Sequence, residues 1–397
     1  MQNPPFTLYL EINESDFIFF VSESNIENNF KINFKLAIPL QGIENNRVSN
    51  LEKISEILKE NIYIIERKFN FTFTEIILIL ENFNPSFINF TGFKKMNSSQ
   101  ILRENIIYIL NTLKSCVNET ETKKNILHIF NSNFILDKKK INNLPIGLFG
   151  DLYSHELSFS LINKNDLKNL ESIFNNCNLK IKKILLKSFV VGANISENFK
   201  NIETFFKIKI NKNSSKIFYF ENSSLKYEQT FSFGSNIIIK DLSKITSLKK
   251  ETVETILNKF KLRKDISEEE LIDKSYFIDE SYRKIKKKLI YQIILARIIE
   301  ILDIIIVNNI NINFYNKSSK VIFLEIENHL HSSTFKDVFS ESLKDSSYIV
   351  KFFENFTDEK MLKTANKLVH FGWKKEAIPI AHSKKSLIAR FFDAIFD

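Results

Sequence analysis

A similar order of secondary-structure patterns occurs twice along the chain, and this repetition is the strongest constraint on its fold. The first copy has three strand patterns, a helical pattern and a buried strand, at residues 7–12, 17–22, 30–39, 51–65 and 75–80. The second has three strand patterns, two helical patterns and a buried strand, at 205–210, 216–220, 227–233, 250–260, 279–307 and 321–326. We therefore predict an α/β protein of two related lobes with a cleft.

An inserted piece separates the two copies. Residues 83–162 carry a helical pattern of their own at 98–115, together with strand patterns. We predict that this piece forms a subdomain added to the first lobe.

Length, cysteine content and hydropathy limit the class of protein. The 397 residues suffice for two or three domains with real cores, and Cys116 and Cys177 are too few for a disulfide framework. The N-terminus lacks the basic start and apolar run of a signal peptide. The most apolar segment, 289–307, is interrupted on one helical face by Gln292, Arg297, Glu300 and Asp303. We predict a cytosolic protein with at most a surface anchor.

Charge and glycine content bear on possible ligands. The net charge is +9, which favours anionic surfaces, but no RNA-recognition signature or zinc-ligand spacing appears, so nucleic acid is not an expected partner. Only 7 residues are glycine. Loops that cradle phosphate need glycine for close backbone approach and positive φ, so this shortage argues against an ordinary nucleotide site.

The last fifteen residues, 383–397, have an amphipathic helical pattern behind a short polar break. Apolar residues cover one half of the helix, and basic residues precede and flank it. The residues expected to bind a membrane surface are Lys384, Lys385, Leu387, Ile388, Arg390, Phe391, Phe392, Ile395 and Phe396. The alternative is a final helix that packs on the protein's own core.

The insert carries the most specific motif in the chain. It comprises His128, Asp137, Ile141, the run Leu144-Pro145-Ile146-Gly147-Leu148-Phe149-Gly150, Leu152 and His155. This motif resembles the IC subdomain of the FtsA family, the actin-like proteins of bacterial cell division. The family pattern is His, Asp, Ile, Asn-Pro-x-Gly-Met-x-Gly, Leu and His, so Leu144 and Leu148 are departures from it.

Three further stretches resemble the same family in the same order. Residues 222–242 look like the stretch after its second phosphate loop, 296–302 look like its Arg-x-x-Glu-Ile helix, and 383–397 stand where the family keeps its membrane-targeting sequence. The resemblance implies an actin-like two-lobed fold with ribonuclease-H-like halves. It also implies subdomain IA at 1–82 and 163–200, IC at 83–162, IIA at 201–240 and 311–372, IIB at 241–310, a linker at 373–382 and the amphipathic helix at 383–397.

The resemblance also implies a role. FtsA-like proteins tether FtsZ filaments to the inner face of the cytoplasmic membrane at the division site, self-associate into filaments, support Z-ring assembly and recruit later division proteins. They bind the FtsZ C-terminal peptide through subdomain IIB. The basic residues here that could contact acidic groups of that peptide are Arg283, Lys284, Lys287 and Arg297. The alternative for the 286–288 lysines is a solvated helix face.

The nucleotide loops depart from the family, whose members bind ATP with magnesium. The family's Asp-Ile-Gly-Thr-Ser-Lys becomes residues 11–16, its Asp-Ile-Gly-Gly-Gly-Thr-Thr-Asp becomes 209–216, and its adenosine glycines align with 325–327. The residues of this degenerate cleft are Glu11, Asn13, Ser15, Lys209, Lys212, Ser214, Ser215, Lys216, Gly234, Glu325 and Glu327. Either ATP binding is lost and the cleft is internally salt-bridged, or Lys209, Lys212 and Lys216 still hold a phosphate.

We expect no catalytic residues and no ATP hydrolysis, because the sequence provides no ordered metal site or water-positioning group. Two other functions stay open. One is an actin-like ATPase of a pilus or cell-shape system, and the other is a membrane-bound scaffold that no longer engages FtsZ.

Overall fold

The computed structural model describes residues 6–23, 30–81, 83–199, 201–259, 266–277, 279–315, 321–326, 339–340, 343, 348–353 and 356–377. The predicted amphipathic helix at 383–397 and Glu327 lie outside the described residues. The chain divides into two compact units. Unit 1 comprises 1–203, 220–227 and 356–397, and unit 2 comprises 204–219 and 228–355.

A five-stranded sheet forms the centre of unit 1. Its strands are β1 (Phe6–Ile12), β2 (Asp16–Glu23), β3 (Ile32–Pro39), β6 (Glu75–Leu80) and β11 (Lys180–Leu186), and a separate ribbon consists of β4 (Ile43–Glu44) and β5 (Arg47–Val48). The sheet order is β11-β6-β1-β2-β3, with β1 antiparallel to β2 and parallel to β6. Leu10 of β1 therefore lies beside both Phe19 and Leu78.

Helices cover this sheet because their apolar residues recur at helical spacing. They are α1 (Leu51–Phe69), α3 (Lys164–Asn176), α4 (Lys187–Asn198) and α9 (Asp358–His370). In α1, Ile54, Leu58 and Ile62 fall on one buried face. The side chain of Asn50 caps this helix by accepting the Lys53 backbone N–H.

The insert is a four-stranded sheet with one helix. Its elements are β7 (Ser86–Gln100), α2 (Arg103–Thr120), β8 (Lys124–Leu136), β9 (Lys139–Ile141) and β10 (Phe149–Asn163), in the sheet order β7-β10-β8-β9. The helix predicted at 98–115 therefore begins and ends later than expected. Ser99 and Gln100 still pair with β10, and Asn105 begins the helix by accepting the Leu102 N–H.

After α9 the chain returns to the insert and pairs with the edge of β8. The N–H of Asn131 donates to Lys375 O at 2.6 Å, and the N–H of Ala377 donates to Ile129 O at 2.7 Å. The Trp373 indole is buried and donates to Ser223 O at 2.8 Å. We call residues 373–377 the strap. The first half of the predicted linker is therefore fixed to unit 1.

A second five-stranded sheet repeats the order of the first. Its strands are β12 (Phe205–Ile210), β13 (Ser215–Glu221), β14 (Ser224–Phe231), β15 (Val321–Ile326) and β16 (Ile349–Phe352), in the order β14-β13-β12-β15-β16. As in unit 1, three consecutive strands are followed by a strand that lies parallel to the first of them, here β15 beside β12. The prediction of two related α/β halves is confirmed by this shared order.

The helices of unit 2 are α5 (Asn236–Thr246), α6 (Lys250–Lys259), α7 (Lys287–Leu302) and α8 (Ile310–Tyr315), with a π-helical turn at Asp303–Val307. The helix predicted at 279–307 was wrong in its first eight residues. There the backbone pairs with an earlier segment instead, since the Ile272 N–H donates to Ile285 O and the Lys287 N–H to Glu270 O, both at 2.8 Å. Within the described ranges, no helix is long and apolar enough to cross a bilayer.

Candidate functional site

A groove of about 490 Å³ lies on unit 2 where the end of α5 meets the start of α7. Its lining residues are Ile245, Thr246, Glu268, Lys284, Ile285, Lys286, Lys288, Leu289 and Gln292. Ile245 and Leu289 are exposed apolar side chains. The groove therefore offers apolar surface beside three lysines, which suits a peptide that carries both apolar and acidic groups.

Ion pairs organise the basic rim of this groove. Lys288 pairs with Glu268, and Lys287 Nζ lies 3.1 Å from Glu270 Oε2. The hydrogen bond from Lys288, and then the charges of Lys288 and Lys286, hold the pKa of Glu268 below its usual range. Among the described lining residues Glu268 is the one acidic side chain, and Lys288 already neutralises it.

The structure gives the four predicted partner-binding residues different positions. Lys284 lines the groove, and Lys287 pairs with Glu270. Arg283 donates to Ser247 O at 2.9 Å and therefore satisfies the carbonyl end of α5. Arg297 pairs with Asp241 of α5 and, at 2.7 Å, with Glu300 of its own helix.

Ile245 and Leu289 were missed as groove residues. Each stands out only as an apolar side chain exposed beside charged neighbours, at 57% and 40%. This exposure can be recognised only when the ends of the helices are known, and the sequence pattern did not give the start of α7.

The first loop that corresponds to a family phosphate loop lies between β1 and β2. The side-chain oxygen of Asn13 accepts the Ser15 N–H at 2.8 Å and the Asp16 N–H at 2.7 Å. Such an Asx turn replaces the glycine-dependent turn of a phosphate loop. Because Asn13 takes these two N–H groups, they are not directed at a ligand.

Glu11, at the end of β1, is buried and forms an ion triplet inside unit 1. Lys187 Nζ lies 2.5 Å from Glu11 Oε1 and 2.7 Å from Glu81 Oε2. Burial lowers the pKa of Lys187, but Glu81 and Glu11 more than offset this, so the lysine pKa is raised. The ammonium group therefore occupies the space where two carboxylates could otherwise have held a cation.

The second such loop joins β12 to β13 and is closed by the start of α5. The Asn211 N–H donates to Ser214 O, while the N–H groups of Ser235 and Asn236 donate to Asn211 O and Lys212 O at 2.9 and 2.8 Å. A Cβ atom at Gly234 would lie 2.2 Å from Asn211 O, so only glycine permits this close backbone contact. Ser215 Oγ donates to Phe233 O at 2.8 Å.

The predicted cleft residues of the second sheet also have partners within unit 2. Lys216 Nζ lies 3.2 Å from Glu228 Oε1, and both side chains are buried. Glu325 stands beside Lys209 in the β12–β15 register and pairs with Lys207 at 2.7 Å. Burial lowers the pKa of Lys207 to about 8, and Glu325 offsets only part of that effect.

These residues do not fit magnesium–ATP in the manner that the family resemblance implies. In both loops protein atoms accept backbone N–H groups, namely those of Ser15 and Asp16 in the first and of Asn211 in the second, and a lysine pairs with Glu11. Within the part of the chain that the structure describes, no three His, Cys, Asp or Glu side chains are grouped to hold a metal ion.

The fold is that of the actin-like proteins. One chain of the PilM–PilN type IV pilus biogenesis complex aligns with a TM-score of 0.52, over 91% of this chain and 95% of its own length, at 9% sequence identity. At that identity the likeness concerns the fold alone. It agrees with the two sheets of equal strand order, and the predicted actin-like fold class is confirmed.

Within the actin-like proteins, sequence comparison finds relatives of this chain in one family. FtsA of Buchnera aphidicola subsp. Acyrthosiphon pisum is 22% identical over 252 residues, which are 63% of this chain and 60% of that protein. FtsA of Neisseria meningitidis serogroup B is 21% identical over 300 residues, or 75% and 72% of the two chains. No family model matches the chain.

The predicted resemblance to FtsA is thereby confirmed, at the distance expected of a divergent FtsA-like protein. The matched stretch spans about 60% of the length of the first Buchnera relative.

Proposed function

We propose that this chain is a cell division protein that tethers FtsZ filaments to the inner face of the cytoplasmic membrane. The observation that carries the proposal is the similarity to FtsA proteins over more than 60% of the chain. The actin-like fold supports self-association into filaments and contacts with later division proteins.

The groove of unit 2 is the site that we assign to the FtsZ C-terminal peptide. Its apolar residues Ile245 and Leu289 and its lysines Lys284 and Lys286 provide the two kinds of contact that an acidic, partly apolar tail requires. Arg283 and Arg297 then contribute by holding α5 and α7 in place rather than by touching the peptide.

The test is a titration of a labelled FtsZ C-terminal peptide into the full chain, followed by fluorescence anisotropy. We expect saturable binding that weakens at least about tenfold in Leu289→Glu, since one buried apolar contact is replaced by a charge that repels the peptide. Ile64→Glu is the matched control, because Ile64 is a 48% exposed apolar residue of α1 in unit 1. Equal affinity of wild type and Leu289→Glu would show that the peptide binds at another site. No binding at all would favour the membrane-bound scaffold that does not engage FtsZ.

Membrane attachment is assigned to the amphipathic pattern at 383–397, where Phe391 and Phe392 are central to the apolar half. A single tail of this kind gives reversible binding, and several tails on one filament bind far more tightly through their effective concentration. The corresponding test is Phe391→Glu with Phe392→Glu. Co-sedimentation with liposomes at the wild-type level would refute the anchor.

We further propose that the chain does not hydrolyse ATP. The closed loops around Asn13 and Asn211 and the Glu11–Lys187–Glu81 triplet support this. Thermal unfolding with and without magnesium–ATP tests the binding step that hydrolysis requires, because a ligand that binds the folded state raises its stability. A concentration-dependent rise in Tm would support the alternative in which Lys209, Lys212 and Lys216 hold a phosphate, and release of inorganic phosphate would restore the actin-like ATPase.

A further inference from the structure

Ile310 and Phe314 of α8 are the most exposed large apolar side chains among the described residues, at 82% and 73%. They stand four residues apart and therefore share one outward face of the helix. Ile304 and Val307, in the π-helical turn just before α8, are exposed as well. The Asn313 side chain donates to Val307 O at 3.2 Å, which keeps the end of that turn beside α8. We call Ile304, Val307, Ile310 and Phe314 the apolar patch.

Contacts behind the apolar patch hold α8 in place. Ile312 is fully buried, and Tyr315 stacks on Tyr219 with ring centroids 4.5 Å apart. At the start of the helix, the side-chain oxygen of Asn309 accepts the Ile312 N–H at 3.3 Å, and its amide nitrogen donates to Gln229 Oε1 of β14 at 3.1 Å. The patch is therefore presented on an ordered backbone, so a partner that docks there has little backbone to order.

The apolar patch lies in an uncharged stretch of a highly charged chain. Residues 304–316 contain no Asp, Glu, Lys, Arg or His, although 26% of the whole chain is charged. The exposed polar residues between the apolar ones are Asn308, Asn311 and Asn313, whose amides both donate and accept hydrogen bonds. Two copies of this surface can meet without the repulsion that a net charge of +9 imposes elsewhere, and their amides can pair with each other.

The size and composition of the apolar patch favour a protein partner over a membrane. The helix α8 has six residues and no lysine or arginine, which helices in a lipid headgroup layer carry on their polar face. Together the four patch side chains expose on the order of 400 Å² of apolar surface. A standard interface buries about 800 Å² on each partner, of which a little over half is apolar. One patch therefore supplies the apolar part of one side of such an interface.

We propose that the apolar patch binds the same patch of a second copy of this chain. In such a two-fold contact each patch covers the other, so association closes at a pair, whereas a head-to-tail contact continues into a filament. The inference rests on the proposed self-association, to which it adds a surface and a symmetry. It is independent of FtsZ peptide binding and of membrane attachment.

The first experiment is sedimentation velocity of the full chain over a range of concentrations. We expect a concentration-dependent dimer whose dissociation constant rises at least about tenfold in Ile310→Glu/Phe314→Glu, because like charges then meet in the contact. The matched control is Tyr63→Glu/Ile64→Glu, which places the same charges at exposed apolar positions of α1 in unit 1 and should pair as wild type. Ile310→Asn/Phe314→Asn adds no charge and should weaken the pair in the same direction, so it replaces the glutamate variant if that variant folds poorly.

The symmetry of the contact is tested with a spin label at Asn308→Cys. The label is placed in a Cys116→Ser background, because Cys116 is exposed and Cys177 is buried. In a two-fold contact of standard size any patch residue lies within about 30 Å of its own copy, so pulsed dipolar spectroscopy should give a single distance in that range. Ile310→Glu/Phe314→Glu should abolish this distance.

Several results would overturn the inference. A wild type that stays monomeric at every concentration does so, and so do equal dissociation constants for the patch variant and the α1 control. Raising the salt from about 0.1 to 1 M shortens the Debye length from about 10 to 3 Å, so a dimer that dissociates on this change would be held by charges outside the patch.

Two further measurements keep this inference separate from the tethering proposal. The FtsZ peptide should bind Ile310→Glu/Phe314→Glu as it binds wild type, and a pair that forms without any peptide binding would leave the patch in place while the tether fails. Phosphatidylcholine vesicles test the remaining occupant. If the Phe391→Glu/Phe392→Glu chain still binds them and loses that binding on Ile310→Glu/Phe314→Glu, the patch faces lipid and the second-copy inference is wrong.

Discussion

Glu376 Oε1 lies 3.0 Å from His128 Nδ1, so the strap is joined to β8 by a buried carboxylate–imidazole contact. The other oxygen of Glu376 lies 3.0 Å from Lys183 Nζ. Burial lowers the pKa of His128 despite Glu376, so the ring is neutral and its Nδ1–H donates. Burial raises the pKa of Glu376, but hydrogen bonds from His128 and Lys183 and the positive charge of Lys183 hold it at about 2.

We predict that unit 1 loses stability as the pH falls from 7 to 5. The folded-state pKa of His128 lies below its unfolded value of about 6.5, so the unfolded chain binds the proton first and the contribution present above that pH is lost on acidification. Glu376 adds a second loss below about pH 4.3. Urea unfolding at several pH values measures this slope.

His128→Asn is the control for that slope. The amide keeps an N–H donor for Glu376 but does not titrate, so the urea midpoint of this variant should vary less between pH 7 and 5. Identical slopes for wild type and His128→Asn would show that another group carries the pH dependence.

Glu376→Gln tests whether the charge of the strap matters at neutral pH. The variant keeps the shape but replaces charge-assisted hydrogen bonds from His128 and Lys183, and we expect a loss of about 1.5–3 kcal/mol in the free energy of unfolding. Glu203→Gln, which removes an exposed partner of Lys374, should cost less than about 1 kcal/mol. Equal effects would mean that burial of Glu376 adds nothing to the contact.

The strands were predictable because each buried run is short and bounded by polar residues. The predicted 75–80 and 205–210 coincide with β6 and β12. The residues at which helices begin and end were harder to predict. The polar run Ser98-Ser99-Gln100 carries no stop signal, and its pairing with β10 is a long-range contact that periodicity cannot reveal. Residues 279–286 are charged like a helix face, yet backbone bonds to the 270–272 segment decide their conformation.

Site residues were predictable only where they belong to a motif that can be aligned with the family. The aligned loops pointed to Glu11 and Asn13, but nothing in the sequence connects Glu11 with Lys187, which is 176 residues away. The same limit applies to Arg297, whose family position says nothing of its pairing with Asp241 on another helix. Its role in partner binding stays a prediction.

Lys187→Met should destabilise unit 1 by about 3–5 kcal/mol at neutral pH, because Glu11 and Glu81 are left buried without a cation. The urea midpoint at pH 7 measures this loss. The uncharged Glu11→Gln/Glu81→Gln/Lys187→Met triple variant should recover most of the loss, and no recovery would contradict the electrostatic account.

Gly234→Ala should open the loop that α5 closes. The new Cβ would lie 2.2 Å from Asn211 O and 2.7 Å from the carbonyl of Lys212, so backbone must move, at a cost of about 1–3 kcal/mol. Hydrogen exchange of the Ser235 and Asn236 amides, which donate to those two carbonyls, should accelerate. Ser235→Ala keeps both backbone bonds and serves as the control. Slow exchange in Gly234→Ala would mean that the loop yields without breaking them.

Variants of Arg297 and Lys284 should distinguish a residue that stabilises unit 2 from a residue that contacts the FtsZ peptide. Arg297 holds α7 to α5 through Asp241, and each of these side chains is 22% exposed, so a double-mutant cycle of Arg297→Gln and Asp241→Asn should give a coupling of about 0.5–1.5 kcal/mol in stability. Lys284 lines the groove. Lys284→Gln should therefore weaken FtsZ peptide binding without changing stability, while Arg297→Gln should do mainly the reverse. A larger loss of peptide affinity in Arg297→Gln, at unchanged stability, would instead place the guanidinium in direct contact with the peptide.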